Sequence, residues 1–222
     1  MEQNEIKSPI QYIKEAWGIY TKKENFIFFA KIMAVLVLVT TTIGFVTGYF
    51  YPEEYLKNGD FSNTPILVGF VVLSLVAIVT GLWTQTTTTL AVIKMNSNEK
   101  EIFKFGFRYS WKFFVASFIV GFFTVLGILL FVFAVWYSFA PMLVIDKNYK
   151  VSKALAESRE MVRGKFWKIL GRFVVFGLFS IIVTVLLSII PYAGSLAVSF
   201  VAPLFLLPMY LLYKDLSASR GL

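Results

Sequence analysis

The 33 residues from Phe113 to Ile145, FFVASFIVGFFTVLGILLFVFAVWYSFAPMLVI, contain no Asp, Glu, Lys or Arg. A helix needs about 20 residues to cross a membrane, because ~1.5 Å of rise per residue must cover ~30 Å of hydrocarbon. As one helix this stretch would be about 50 Å long, too much for an untilted span. As a hairpin turning near Leu126-Gly127 it gives two helices of roughly 16 residues, about 24 Å each. The flanks decide between them. Lys94, Lys100, Lys104, Arg108 and Lys112 precede the stretch, and Lys147, Lys150, Lys153, Arg159, Arg163, Lys165, Lys168 and Arg172 follow it. Cytoplasmic loops collect Lys and Arg, so both flanks belong on the cytoplasmic side and the number of crossings between them is even. The hairpin is the reading that fits.

Working outward, three more charge-free runs appear: Ile32 to Pro52, Phe61 to Ile93 and Phe173 to Tyr213. The last breaks at Pro191-Tyr192-Ala193-Gly194, whose Pro and Gly favour a turn between two spans. The expected fold is therefore all-α and polytopic, with six transmembrane helices at approximately 27–50, 66–93, 113–127, 128–146, 166–190 and 195–214. The chain forms a single integral membrane domain over 1–222. Lys7, Lys14, Lys22, Lys23 and Lys31 precede or enter the first span, and Lys214 and Arg220 follow the last. Twenty of the 21 basic residues then share the cytoplasmic side with both termini, while Lys57 alone lies opposite, beside Glu53, Glu54 and Asp60. The formal net charge of +8 is thus a topology signal, and nucleic acid is not needed to explain it. The first span lacks a small-residue cleavage pattern and is expected to act as an uncleaved anchor.

Composition agrees. The 222-residue chain is 58% hydrophobic and only 15% charged, with a mean hydropathy of +0.73. An average soluble domain is roughly 25% charged. A water-soluble enzyme of this size could not cover so much apolar surface, and a disordered chain would not carry it. There is no Cys and no His. That removes thiol and imidazole catalysis, disulfides and most zinc or haem ligation, so no metal or cofactor is expected.

Each hairpin is preceded by a segment that reads as an amphipathic interfacial helix, at approximately 9–24, 99–111 and 150–164. The first opens at Ser8-Pro9, an N-cap followed by Pro at the first helical position, with an apolar stripe of Ile13, Ala16, Trp17 and Tyr20. The third puts Val151, Ala154, Leu155, Ser158 and Val162 on one face. The middle segment is less regular. Superposition pairs Ala16 with Ile102 and Ala154, at unequal offsets, so the repeat is degenerate. Interfacial helices also commonly precede membrane spans without any repetition.

The elements Phe139-Ala140-Pro141-Met142-Leu143-Val144-Ile145-Asp146, Ala154-Leu155, Ser158-Arg159 and Gly164-Lys165-Phe166-Trp167 resemble the bacterial integral membrane domain of glycerophosphoryl diester phosphodiesterases and related uncharacterised inner-membrane proteins. The Ala16-Trp17 segment and the six-span layout also fit that likeness. The resemblance implies a membrane module connected with lipid or envelope metabolism in a bacterial cytoplasmic membrane. Such proteins often carry a Pro-Gly pair at the hairpin turn, where this chain keeps only Gly127. The soluble phosphodiesterase domain has no counterpart here, so its hydrolytic activity does not carry over.

Several residues stand out as candidates. Arg159, Arg163, Lys165 and Lys168 are suited to lipid-headgroup or phosphate contact, though such a cluster also enforces topology. Trp17, Trp111 and Trp167 are expected as interfacial anchors. Thr80, Thr84, Gln85 and Thr88, with Gly81, recur on one intramembrane face. They read either as a polar path for a solute or as helix packing, since Thr can bond its own i−4 carbonyl. Gly44 and Gly48 form a GxxxG packing motif. Pro141, Pro203 and Pro208 interrupt spans, either to shape the bundle or to break helices around a site. No ionisable side chain sits deep in a span, which argues against an ion-coupled carrier or an intramembrane hydrolase. The expected function is non-enzymatic: a multi-pass scaffold or regulator contacting anionic lipid headgroups, with a possible membrane or cytoplasmic protein partner. The alternative is a small-solute transporter or channel along the Thr/Gln face.

Overall fold

The computed structural model describes residues 6–50, 64–95, 97–125, 131–190 and 193–221. Within them the chain forms helices α1 (Pro9–Tyr20), α2 (Lys23–Phe50), α3 (Thr64–Ile93), α4 (Glu99–Val125), α5 (Phe131–Tyr137), α6 (Ala140–Asp146), α7 (Val151–Val162), α8 (Phe166–Ser188) and α9 (Gly194–Ala218), with no strand among the described residues. Four stretches are long and apolar enough to cross a membrane: Lys23–Tyr49, Leu67–Ile93, Phe166–Ser188 and Gly194–Ala218. The expected turn at Gly127, the loop bearing Glu53, Glu54, Lys57 and Asp60, and Pro191-Tyr192 lie outside the described residues.

Helix α1 starts as its sequence dictates. Ser8 Oγ accepts from the Gln11 amide at 3.2 Å, and the Gln11 side chain accepts from the Ser8 amide at 2.9 Å, a reciprocal capping box. Its buried stripe is Tyr12, Ala16 and Tyr20. Trp17, assigned to that stripe by spacing, instead faces outward with 55% exposure, because Tyr12 and Ala16 already turn the helix's inner face onto α9. Tyr12 Oη donates to Asp215 Oδ2 at 2.8 Å and Tyr20 Oη donates to the Phe200 carbonyl at 3.0 Å. Burial, aided by the Asp215 bond, pushes the Tyr12 phenol well above its ordinary range. Burial alone also raises Tyr20.

Two expected boundaries differ. The sequence separates an interfacial helix at 99–111 from a span at 113–127, whereas α4 runs unbroken from Glu99 to Val125. Nothing from Ser110 to Phe113 is a helix breaker. A change from amphipathic to apolar patterning alters what surrounds a helix without disturbing its backbone bonds. The expected span at 128–146 is two short helices, α5 and α6, separated at Ser138-Phe139. Pro141 has no N–H to give to the turn before it, so the helix reads as ended and restarted there. Val132–Asp146 is the shorter apolar segment, about 22 Å long at helical rise, and both α5 and α6 pack against α4. By contrast α9 continues through Pro203 and Pro208, both buried within it.

Burial divides the molecule into two ends. The core draws on Phe29 to Leu36 of α2, Leu90 to Val92 of α3, Ala140 and Met142 to Ile145 of α6, and Leu204 to Leu216 of α9. These stretches lie close in sequence to the Lys/Arg-rich segments. The opposite halves expose apolar side chains: Leu38 and Phe45 on α2, Leu67, Val71, Leu75 and Val79 on α3, and Leu178, Ile181, Ile182 and Val185 on α8. Ala16, Ile102 and Ala154, the positions paired by the degenerate repeat, are each fully buried.

Candidate lipid-facing cleft

The break between α5 and α6 organises the site. Ser158 of α7 is fully buried. Its Oγ donates to the Trp136 carbonyl at 2.7 Å and accepts the Phe139 amide at 3.1 Å. One hydroxyl thereby serves both sides of the interrupted helix, as buried backbone groups require. Ser158 also fixes its neighbour. The Arg159 guanidinium lies 4.8 Å from the centre of the Trp136 ring, a stack in which the cation rests on the indole's negative face.

Arg163, the C-cap of α7, follows Arg159 by four residues, its amide bonded to the Arg159 carbonyl at 3.0 Å. After it, Gly164 adopts φ +76°, a left-handed conformation that L side chains rarely take. That turn closes α7, with the Lys165 amide bonded to the Val162 carbonyl at 2.9 Å, and launches α8. The result is a cleft of about 530 Å³ between α5, α7 and the start of α8. Arg159, Glu160 and Arg163 line its charged side; Val132, Trp136 and Phe166 contribute to its apolar wall, with Trp167 at the rim, 79% exposed. Glu160 is engaged, at 3.4 Å from Arg163 Nη1 and 3.9 Å from Arg220 Nη1. Arg159 meets no carboxylate or carbonyl among the described residues.

Arg159, Gly164, Phe166 and Trp167 line this cleft, and Phe139 is joined to it through the Ser158 hydroxyl. Residues 112–214 match the family model for the membrane domain of glycerophosphoryl diester phosphodiesterase. The resemblance read from these motifs is thus shown over a stretch that contains all of them. No curated protein and no solved structure matches the chain. Together with its four long apolar helices, the membrane-domain match makes this a membrane protein.

The other basic candidates lie elsewhere. Lys165 borders a hollow of about 180 Å³ with Lys7 and Asp215, and Lys168 is exposed on α8. Lys7 Nζ donates to Glu15 at 2.9 Å, and this bond holds its amine above the ordinary lysine value. Arg172 is drawn away as well. Its Nε donates to the Lys7 carbonyl at 2.9 Å, and its Nη2 donates to the Ile6 carbonyl at 2.7 Å, tying the segment before α1 to α8. Trp111 is 71% exposed on α4, at one end of a run of ring contacts with Phe114 and Phe118.

The Thr/Gln residues of α3 separate. Gln85 is exposed and Thr80 and Thr84 are partly buried, while Thr86 to Thr89 are buried. Thr86 and Thr88 donate to their own i−4 carbonyls, each at 2.8 Å. Thr87 abuts Gly106 of α4 so closely that a Cβ there would overlap Thr87 Oγ1, and Trp83 Nε1 donates across to the Phe103 carbonyl at 3.3 Å. These contacts are those of a tight α3–α4 seam. Gly44 and Gly48 are exposed, with nothing within 4 Å of a Cβ built on either among the described residues.

Sequence reasoning missed Trp136, hidden in an apolar run, and Ser158's part in the break. The usable signal was Pro141. A helix interrupted by proline inside a buried bundle frees backbone groups, and a polar side chain must meet them.

Proposed function

We propose that this chain is a non-enzymatic, six-crossing protein of a bacterial cytoplasmic membrane, with both termini cytoplasmic, whose basic end engages anionic lipid headgroups. In this role it scaffolds or regulates a process of lipid or envelope metabolism. The observation that carries the reading is the cleft, where two guanidiniums one helical turn apart border an aromatic and aliphatic wall. Arginine suits phosphate because its planar fork donates two parallel hydrogen bonds. Aromatic side chains at the rim suit the headgroup level of a bilayer. The exposed apolar halves of α3 and α8 are suited to contact with lipid tails.

The test is thermal stability in nanodiscs of phosphatidylcholine alone or with increasing phosphatidylglycerol. Anionic lipid should raise the unfolding temperature. Replacing Arg159, Arg163, Lys165 and Lys168 together with Gln should abolish most of that rise. Equal stability in both lipids would end the proposal.

A further inference from the structure

The geometry points to a more specific occupant, and this inference rests on the headgroup reading above: the cleft holds one phosphodiester lipid, its phosphate on Arg159 and Arg163 and its acyl chain along Val132, Trp136 and Phe166. Arg159 is the first reason. Stacked on Trp136, its guanidinium is fixed in plane while its donors meet no carboxylate or carbonyl among the described residues. A pre-oriented fork of this kind matches two oxygens of a phosphate. Arg163 stands a turn away, and Glu160, which would repel an anion, is engaged by Arg163 and Arg220. The cleft thus keeps net positive charge.

The second reason is the wall. A site built for a water-soluble phosphate ester would surround it with polar groups. Here the charged residues come from α7 and its C-cap Arg163 alone, and Val132 lies one turn before Trp136 on α5, farther along the apolar run. A ligand held at α7 and extending toward Val132 passes from charge to hydrocarbon, which is the polarity of a phospholipid. The volume of about 530 Å³ falls within the range of small-ligand pockets and accommodates a headgroup with the start of a chain.

The experiment uses the full chain in detergent, titrated with dioleoyl phosphatidylglycerol, dioleoyl phosphatidylcholine, glycerophosphoglycerol and inorganic phosphate, with lipid occupancy read by native mass spectrometry. One phosphatidylglycerol per chain should survive delipidation, and a hundredfold excess of glycerophosphoglycerol or phosphate should fail to displace it. Arg159→Gln with Arg163→Gln should weaken retention at least tenfold, and Arg159→Lys by an intermediate factor, since lysine keeps the charge but loses the fork. Val132→Trp, which fills the apolar end without touching a charge, should weaken phosphatidylglycerol at least fivefold. Displacement by glycerophosphoglycerol or by phosphate would overturn the lipid assignment in favour of a soluble phosphate site. Unchanged retention in both the arginine and Val132 variants would overturn the cleft while leaving a general anionic preference standing. Equal retention of phosphatidylcholine by the unaltered chain would remove the headgroup reading as well.

Discussion

Replacing Ser158 with Ala deletes a single oxygen, and that oxygen holds the α5–α6 break together. It is fully buried and bonded to the Trp136 carbonyl and the Phe139 amide at 2.7 and 3.1 Å. A buried group left without a partner costs about 1–3 kcal/mol. Two are orphaned here, with some relief as the short helices shift, so the expected loss is about 3 kcal/mol. That corresponds to roughly a hundredfold change in the folding equilibrium. Denaturant titration in mixed micelles, followed by tryptophan fluorescence, measures it. Ser180→Ala is the internal control. Ser180 Oγ donates to the Phe176 carbonyl of its own helix at 2.9 Å, a carbonyl that retains its helical position, so the same chemical deletion should change stability by no more than about 0.5 kcal/mol. The Ser158 variant should also loosen the Arg159 stack, because Trp136 loses its anchor. If Ser158→Ala and Ser180→Ala prove equally mild, the break is satisfied by other means and the hydroxyl is not its joint.

Further outcomes follow from other contacts. Gly106→Ala should destabilise by about 1–3 kcal/mol through overpacking against Thr87, and adding Thr87→Ala should recover most of the loss in the same titration. Tyr12 and Lys7 both titrate above their ordinary values of 10.0 and 10.5. Their stabilisation is therefore complete below pH 10 and lost as pH rises beyond it. Thermal stability should fall above pH 10, and less steeply in Tyr12→Phe, which retains no phenol to ionise. Arg172→Gln should raise hydrogen exchange in the first turn of α1 at least tenfold, because the bonds to Ile6 and Lys7 are lost. A reporter inserted after Gly127 should read as extracytoplasmic, and a cytoplasmic reading would refute the hairpin and with it the six-crossing topology.

How much could be read beforehand depended on the range of the interaction. Helical class and the long apolar segments were legible because hydropathy and rise per residue are local properties. The capping box at Ser8 was partly visible for the same reason. The inner face of α1 was not. Spacing placed Trp17 inside, and only the position of α9 brings Tyr12 onto Asp215 across the length of the chain. Arg159, Arg163 and Trp167 were legible as a basic and aromatic cluster on neighbouring elements. That Lys165 and Lys168 leave that cluster follows from the direction in which Gly164 sends α8, and one residue at positive φ does not announce its exit direction. Trp136 was illegible because its role depends on a helix break and on a hydroxyl 22 residues away.

The placement of the buried core bears on why the resembling motifs cluster where they do. Within hydrocarbon, lipid tails are as apolar as the side chains they replace, so burying Leu67 to Val79 of α3 against protein would gain little. None of those residues is buried. Near the charged segments water competes, and burial of apolar surface stabilises. The short elements α1, α6 and α7 fill that end and form much of the core. They also bring the specific polar joints: Tyr12 to Asp215, Tyr213 to Asp146 at 2.8 Å, and Ser158 to the α5–α6 break. Motif residues therefore gather at the one level where sequence changes carry a large free-energy cost. The same level is where a phosphate would lie. A cleft built there inherits rigidity from the core beneath it, so Arg159 can be held in place before any lipid arrives, and less conformational freedom is lost on binding.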